Sequence, residues 1–298
     1  MNEFQLKTAT RKSLPIKMAL CGVSSSGKSL GALLIAKGLG NGDLSKTAVI
    51  DTEKSIELYS HVGSFQLLNL AAPFTTEKYI AAIEACEKAG IETIILDSIS
   101  PQWSYMLQLH SSLAGNSFTN WNRITPLHNA FVNKLLQSPC NIIATIRSKQ
   151  DYLLETKEGK TTITKTGFKP IQRNEIEYEF TLVFNINIDY EAKATKDRTS
   201  LFMDKPAFII TEETGVKIKE WCNSGLTVND VKEQIKATTS VEQLSAVYNQ
   251  HPEWYQFLAK DFIQQKKLLL QGEENKTINI INNSNQNNYA NGTISKAG

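Results

Sequence analysis

The sequence predicts an α/β fold with a mostly parallel central sheet, an antiparallel strand extension and a small C-terminal helical appendage. Three observations lead there. Over the first 150 residues short apolar runs alternate with amphipathic stretches, as βα units around a parallel sheet do. After Arg147 the texture shifts to longer strands of alternating character, which suits antiparallel pairing. From Gly225 onward the pattern is helical only.

The elements follow in order. Residues 16–21 (IKMALC) read as a strand, with a Gly/Ser loop after it and a helix from Lys28 to Lys37. TAVID (47–51) and FQLLN (65–69) are the next strands, and a helix over 75–89 leads to ETIILD at 92–97. Two further helical patterns, 101–114 and 124–137, precede NIIATI at 141–146. Short β-branched runs bounded by polar turns fit strands buried on both faces. Residues 151–172 are polar, basic and weakly periodic. YEFTLVFNINID (178–189) and YEAKATKD (190–197) alternate as strands, and AFIITEETGVKIKEW (207–221) reads as a hairpin.

Beyond Gly225, Ser240 and Gln243 stand at capping-box spacing, and Thr227 and Asp230 do so more loosely. Trp254, Phe257, Leu258 and Phe262 share one helical stripe, the pattern of a core or docking face. The last 27 residues hold eight Asn, an Asn-rich low-complexity composition that reads as a disordered tether. The domain reading is a core over 1–225, a helical appendage over 226–271 and an Asn-rich tail over 272–298.

Composition narrows the function classes. A chain of 298 residues, 41% hydrophobic and 21% charged, has room for about two domains or one large domain with an appendage. Disorder throughout is excluded at that apolar content. No apolar run reaches the roughly 18 residues of a membrane span, and the opening residues lack a secretory signal pattern. Cys21, Cys86, Cys140 and Cys222 are widely spaced and form no CxxC pair, which fits free thiols in a reducing, cytoplasmic compartment. The net charge of +2 names no partner by itself.

The chemistry starts at residues 22–29, Gly22-Val23-Ser24-Ser25-Ser26-Gly27-Lys28-Ser29, which is G-x-x-x-x-G-K-S between an expected strand and an expected helix. Glycines let backbone amides turn inward around phosphate oxygens, and the helix N-terminus adds partial positive charge there. This stretch, extended to Leu30, is the expected site for ATP. Lys28 reaches the β- and γ-phosphates, and the Ser29 hydroxyl ligates Mg²⁺. An acidic residue closing a hydrophobic strand should complete such a site, and Thr93-Ile-Ile-Leu-Asp97-Ser98 supplies Asp97 as the metal partner. Asp51-Thr52-Glu53 closes another strand, and Glu53 is a candidate for polarising the attacking water.

Together these residues resemble a RecA-type ATPase core, so the resemblance implies a RecA-like P-loop NTPase fold. In RecA-like recombinases the strand after the P-loop helix ends in Asp-x-Glu, matched by Asp51-Thr52-Glu53, and the Walker B strand ends in Asp-Ser, matched by Asp97-Ser98. Their next core strand ends near an Arg followed by a loop, as in Ile146-Arg147-Ser148-Lys149. One departure is plain: the Gln those proteins use as phosphate sensor, two positions before that Arg, is Thr145 here. Ala194-Thr195-Lys196-Asp197-Arg198 is similar to the Lys-x-Arg of RecA-fold ring helicases, which implies that Lys196 and Arg198 reach a neighbouring subunit's ATP. More narrowly, GFKPIQRNEIEYEF (167–180) and KDRT (196–199) are similar to phage P-loop proteins described as AAA or nucleotide-binding proteins, which include minimal RecA-like single-strand annealing ATPases. The resemblance spans roughly residues 14–222. It implies a ring or filament of identical subunits, a single-strand-binding or replication protein as a further partner, and, for a phage-encoded chain, work in the bacterial host cytoplasm.

Seven basic residues, Arg147, Lys149, Lys157, Lys160, Lys165, Lys169 and Arg173, stand between positions 147 and 173. Only Asp151, Glu155 and Glu158 oppose them, a local excess of +4. Such a loop can follow a nucleic-acid backbone, with Tyr152 or Phe168 available to stack a base; it is equally the composition of a solvated surface hairpin. The expected function is Mg-dependent ATP hydrolysis in recombination, coupled to binding or annealing of single-stranded DNA. Two alternatives share the P-loop: a small-molecule or nucleotide kinase, and an ATP-dependent scaffold or replication adaptor.

Overall fold

The computed structural model describes residues 13–157, 160–225, 228–250, 255 and 258–271; over 150–157 and 160–167 the backbone alone is described. The elements run β1 (Lys17–Gly22), α1 (Lys28–Leu39), β2 (Thr47–Asp51), β3 (Gln66–Asn69), α2 (Thr76–Lys88), β4 (Thr93–Asp97), α3 (Ser100–Ser112), α4 (Ser117–Gln137), β5 (Asn141–Lys157), β6 (Lys160–Pro170), β7 (Leu182–Ile186), β8 (Glu191–Asp197), β9 (Phe208–Ile209), α5 (Glu212–Asn223), α6 (Val228–Ala237) and α7 (Val241–Gln250).

The strands form one sheet in the order β3-β2-β4-β5-β1-β7-β8-β9. Pairing is parallel from β3 through to β7 and antiparallel for β7/β8 and β8/β9. The fold class is thus the expected one, an α/β P-loop architecture with a mostly parallel sheet. Alternation along each strand divides the apolar residues between two cores. Met18 and Leu20 of β1 pack with Leu33 and Ile35 of α1 and with Ile218 and Cys222 of α5. Ala19 and Cys21 face the other way, toward Tyr79 and Ile83 of α2 and Phe131 and Leu135 of α4. Both faces are covered, which is why the strands read as unbroken apolar runs.

Register sets the site. Gly22 lies opposite Arg147 and Asp51 opposite Asp97, so the ends of β1, β2, β4 and β5 share one edge of the sheet. Strand β5 runs between the P-loop strand and the Asp97 strand and then leaves the sheet. Its second half pairs antiparallel with β6, from Ser148 opposite Pro170 to Lys157 opposite Lys160. The weakly periodic segment is therefore a long hairpin.

Three local expectations need correction. Residues 207–221 are not a hairpin: only Phe208–Ile209 is a strand, and α5 follows. GVKIKEW alternates like a strand, yet Thr214, Gly215, Ile218 and Cys222 are buried at helical spacing. The Thr211 amide donates to the Thr214 hydroxyl at 3.2 Å, and Lys217 pairs with Glu213 one turn away. A Cβ on Gly215 would come within 2.9 Å of Gly38 Cα, so α5 lies directly against α1. Helix α4 begins at Ser117, not at 124, with Asn116 capping the Phe118 amide at 2.8 Å. Pro126, ordinarily a first-turn residue, sits inside it. The strand expected over 178–189 is shorter, β7 preceded by a 3₁₀ turn at Ile176–Tyr178.

The chain divides into two compact units, one over Leu14–Cys222 and one taking in Ser13 and the chain from Asn223. The second has its own core of Val231, Ile235, Leu244, Leu258 and Phe262. Its α7 is capped as the spacing implied, with the Gln243 amide donating to the Ser240 hydroxyl at 3.3 Å. Thr227, Trp254, Phe257 and the tail over 272–298 lie outside the described residues. Among the described residues no helix is long and apolar enough to cross a membrane.

Candidate active site

The loop between β1 and α1 wraps a cavity of about 360 Å³ lined by Ser24, Ser25, Gly27, Lys28 and Ser29, with Glu53, Ser55, Tyr59, Asp97 and Arg147 opposite. Gly27 is the residue before α1 and holds φ at +83°, a conformation open to Gly and strained for other side chains. No side chain caps this helix, so its first amides stay available to an anion. A Cβ on Gly22 would collide with the Ser26 hydroxyl and come within 2.7 Å of the Ile186 carbonyl. Both glycines of the motif are thus required by shape. Val23 turns the loop, its carbonyl accepting from the Ser26 amide at 3.3 Å. Leu30 stands half-buried in the first turn of α1.

Lys28 is buried and donates to the Val23 carbonyl at 2.6 Å. Burial pulls its ammonium below the usual lysine range, while Glu53 and Asp97 oppose that shift. Asp97 is buried too, and desolvation raises its carboxyl above the usual range, with hydroxyls of Thr145 and Ser29 acting against the rise. Thr145 donates to Asp97 Oδ1 at 2.5 Å. The second oxygen, Oδ2, is buried with no protein partner, which costs free energy unless a ligand meets it. A buried carboxylate oxygen beside a serine hydroxyl, at the mouth of an anion cradle, fits a hard divalent cation that shares its shell with water and phosphate. Ser29 and Asp97 are the residues that would hold Mg²⁺.

The Asp-x-Glu stretch splits into two jobs. Asp51 faces its own chain: its carboxylate accepts from the amides of Glu53, Lys54, Ser55 and Ile56 at 2.7, 3.0, 3.1 and 3.3 Å. Thr52 ties this turn to β4, its amide and hydroxyl donating to the Asp97 carbonyl at 2.8 and 3.1 Å. Glu53 is thereby aimed into the cavity, where its Oε1 accepts from Arg147 Nε at 2.7 Å. Arg147 is anchored by its backbone, its amide donating to the Ser100 hydroxyl at 2.9 Å and its carbonyl accepting from Ile171.

A family model described as an AAA domain matches residues 14–214. The chain belongs to the AAA domain family. The match indicates an AAA-type P-loop ATPase family, and the cradle just described lies within the matched residues. A search of curated proteins finds no match.

In this AAA domain the other expected residues fall in two places. Lys196 and Arg198 sit on and just after β8 and do not line the cradle of their own chain. Lys196 Nζ donates to the carbonyls of Glu177 and Tyr178, and Arg198 donates to Tyr178 at 3.4 Å. Of the basic segment, Arg147 belongs to the cradle, while Lys149, Lys169 and Arg173 surround the foot of the hairpin. The side chains of Tyr152, Lys157, Lys160 and Lys165 lie outside the described residues, and Phe168 is exposed.

Sequence reasoning missed Tyr190. Its ring stands 3.0 Å from where a Gly27 Cβ would be, in a turn whose Asn187 side chain accepts from the Asp189 and Glu191 amides, both at 2.9 Å. Tyr190 itself adopts φ +65°. A bulky residue held at positive φ is costly and tends to occur at functional sites. It presses the P-loop from outside. On the far side of Arg147 a larger cavity, about 890 Å³, is lined by Thr52, Pro73, Phe74, Ser104, Tyr105 and Gln108 among others.

Proposed function

We propose that this AAA domain hydrolyses ATP with Mg²⁺ and couples that hydrolysis to binding single-stranded DNA, in the recombination role that its likeness to phage annealing ATPases implies. One observation carries the reading: Arg147 joins the nucleotide cradle to the basic hairpin. Its guanidinium holds Glu53, and its carbonyl begins the pairing of β5 with the segment that returns from β6.

The roles follow from position. Backbone amides at the start of α1 and the Lys28 ammonium take the triphosphate, and partial desolvation strengthens their field. The ion held by Ser29 and Asp97 would supply charge neutralisation at the phosphates. Glu53 accepts the proton of the attacking water once it is released from Arg147. The pair is partly exposed, 28% for Glu53 and 46% for Arg147, so it is worth no more than about 1 kcal/mol. An anionic phosphate entering the cradle competes readily for the guanidinium, which frees the carboxylate. Any shift of Arg147 moves the base of the hairpin, and tension on the hairpin moves Arg147.

Lys196 and Arg198 contribute across a subunit interface in this reading, as a homo-oligomer would require. The test is a steady-state ATPase assay beside a low-salt oligonucleotide binding assay. Lys28→Ala should abolish turnover, and the wild type should bind single strands with an affinity that falls as salt rises. Absence of binding at low salt sinks the DNA reading and leaves the ATPase standing.

A further inference from the structure

At the foot of the hairpin lies a separate cavity of about 610 Å³, within the range of about 300–1,000 Å³ usual for ligand sites. Its wall is apolar and its rim is basic. Trp103 and Leu107 of α3 and Trp121 of α4 make the wall. The two indoles lie 6.1 Å apart and nearly parallel, and His110 packs on Trp121 at 4.2 Å. Trp121 is therefore fixed before any ligand arrives. Leu107 is 43% exposed at the same place.

The rim carries Lys149, Lys169 and Arg173 against the single carboxylate of Glu175. Lys149 and Lys169 are directly opposed in the β5/β6 register, so both side chains leave one face of the hairpin. Like charges at opposed positions destabilise a ladder, and an anion between them reverses that cost. A ligand satisfying both features carries phosphates along one side and a flat apolar ring on the other.

Single-stranded nucleic acid has both, with ring faces free to meet aromatic side chains. A duplex hides its ring faces in the stack and offers this cavity only phosphates. We infer that the cavity seats a nucleotide of a single strand, its base against the Trp121–Leu107 wall and its flanking phosphates along Lys149, Lys169 and Arg173. The inference rests on the proposed binding of single strands and adds where the strand is read and why it must be single.

The test uses the full-length protein, without ATP, titrated at low salt with a labelled oligodeoxythymidylate of about 16 nucleotides. Label anisotropy reports binding and tryptophan emission reports the wall. Saturable binding with quenched emission is expected. Trp121→Ala should weaken binding at least about tenfold, whereas Trp121→Phe should keep most of the affinity and lose most of the quenching. A duplex of equal length should bind more weakly and quench little, and thymidine monophosphate should do neither at matched nucleotide concentration. Equal affinity in wild type and Trp121→Ala, with emission unmoved, places the strand elsewhere and overturns the inference while sparing the proposed function. Equal quenching by duplex or by the mononucleotide also overturns it. No binding of the oligonucleotide at all overturns both. Should Trp121→Ala fail to fold, wild-type quenching and Trp121→Phe decide the matter.

Discussion

Arg147 donates its Nε–H to Glu53 Oε1 across 2.7 Å, tying together the ends of two strands that are not neighbours. Strand β4, which carries Asp97, runs between them. The pair thus spans the mouth of the cradle and ties Glu53 to a residue rooted in the hairpin.

If Glu53 is the water-polarising carboxylate, Glu53→Gln should lower turnover about 10²- to 10⁴-fold while a fluorescent ATP analogue still binds. Asp51→Ala should behave differently. Four amides lose their acceptor, each orphaned amide costing about 1–3 kcal/mol if left dry, so this variant should melt at lower temperature as well as lose activity. Thermal denaturation beside binding and turnover separates the two.

Thr145 and Asp97 make a second pair that spacing alone could not show. Thr145→Val keeps the shape and removes the donor to Oδ1, leaving Asp97 less well oriented. The Mg²⁺ concentration for half-maximal turnover should rise about 10- to 100-fold, the usual cost of losing a partner behind a metal ligand. A magnesium titration of wild type and variant checks this; coincident curves would assign Thr145 to packing alone.

In the proposed oligomer Lys196 and Arg198 would serve the cradle of a neighbour. Lys196→Ala/Arg198→Ala should cost about 10³-fold or more in turnover. The telling experiment is to mix this double variant with Lys28→Ala. Each is inactive alone, yet a mixed assembly contains interfaces where an intact cradle meets intact basic residues, and partial activity should return. Mixtures as inactive as their components would place both residues outside the reaction.

His128 offers a stability test independent of nucleotide. It is buried on α4 against the edge of Trp103, and its Nδ1 has no protein partner. Burial, with the charge of Arg173 added, holds its pKa down to about 4 from 6.5. The unfolded chain therefore takes up a proton that the folded one refuses. The stability present above pH 6.5 should be lost progressively as pH falls toward 4, by about 2–4 kcal/mol. Urea midpoints across that window should fall in the wild type and flatten in His128→Phe.

What could be read in advance follows from the distance over which each feature is specified. The phosphate loop is contiguous: strand, glycines, lysine and helix start lie within the thirteen residues from Lys17 to Ser29, and backbone geometry shapes the cradle. Asp97 was legible as the end of an apolar strand, and the sheet as alternating runs. The division of labour between Asp51 and Glu53 was not, because it depends on which carboxylate turns back on its own amides. The place of Arg147 in the cradle, and Thr145 behind Asp97, depend on β5 entering between β1 and β4, a register set by the whole sheet. Residues 207–221 misled because GVKIKEW satisfies a period of two as well as a helical one, and only close packing of Gly215 on α1 decides between them. The Trp103–Trp121 wall joins two helices across a loop, and no local spacing marks it.

The coupling itself is tested most directly by ATP turnover of the wild type and of Arg147→Ala, each with and without a saturating single-stranded oligonucleotide. The account predicts that the single strand accelerates the wild type and leaves Arg147→Ala at one rate in both conditions. A wild type whose turnover ignores a bound single strand, or an Arg147→Ala variant stimulated as fully as the wild type, would contradict it.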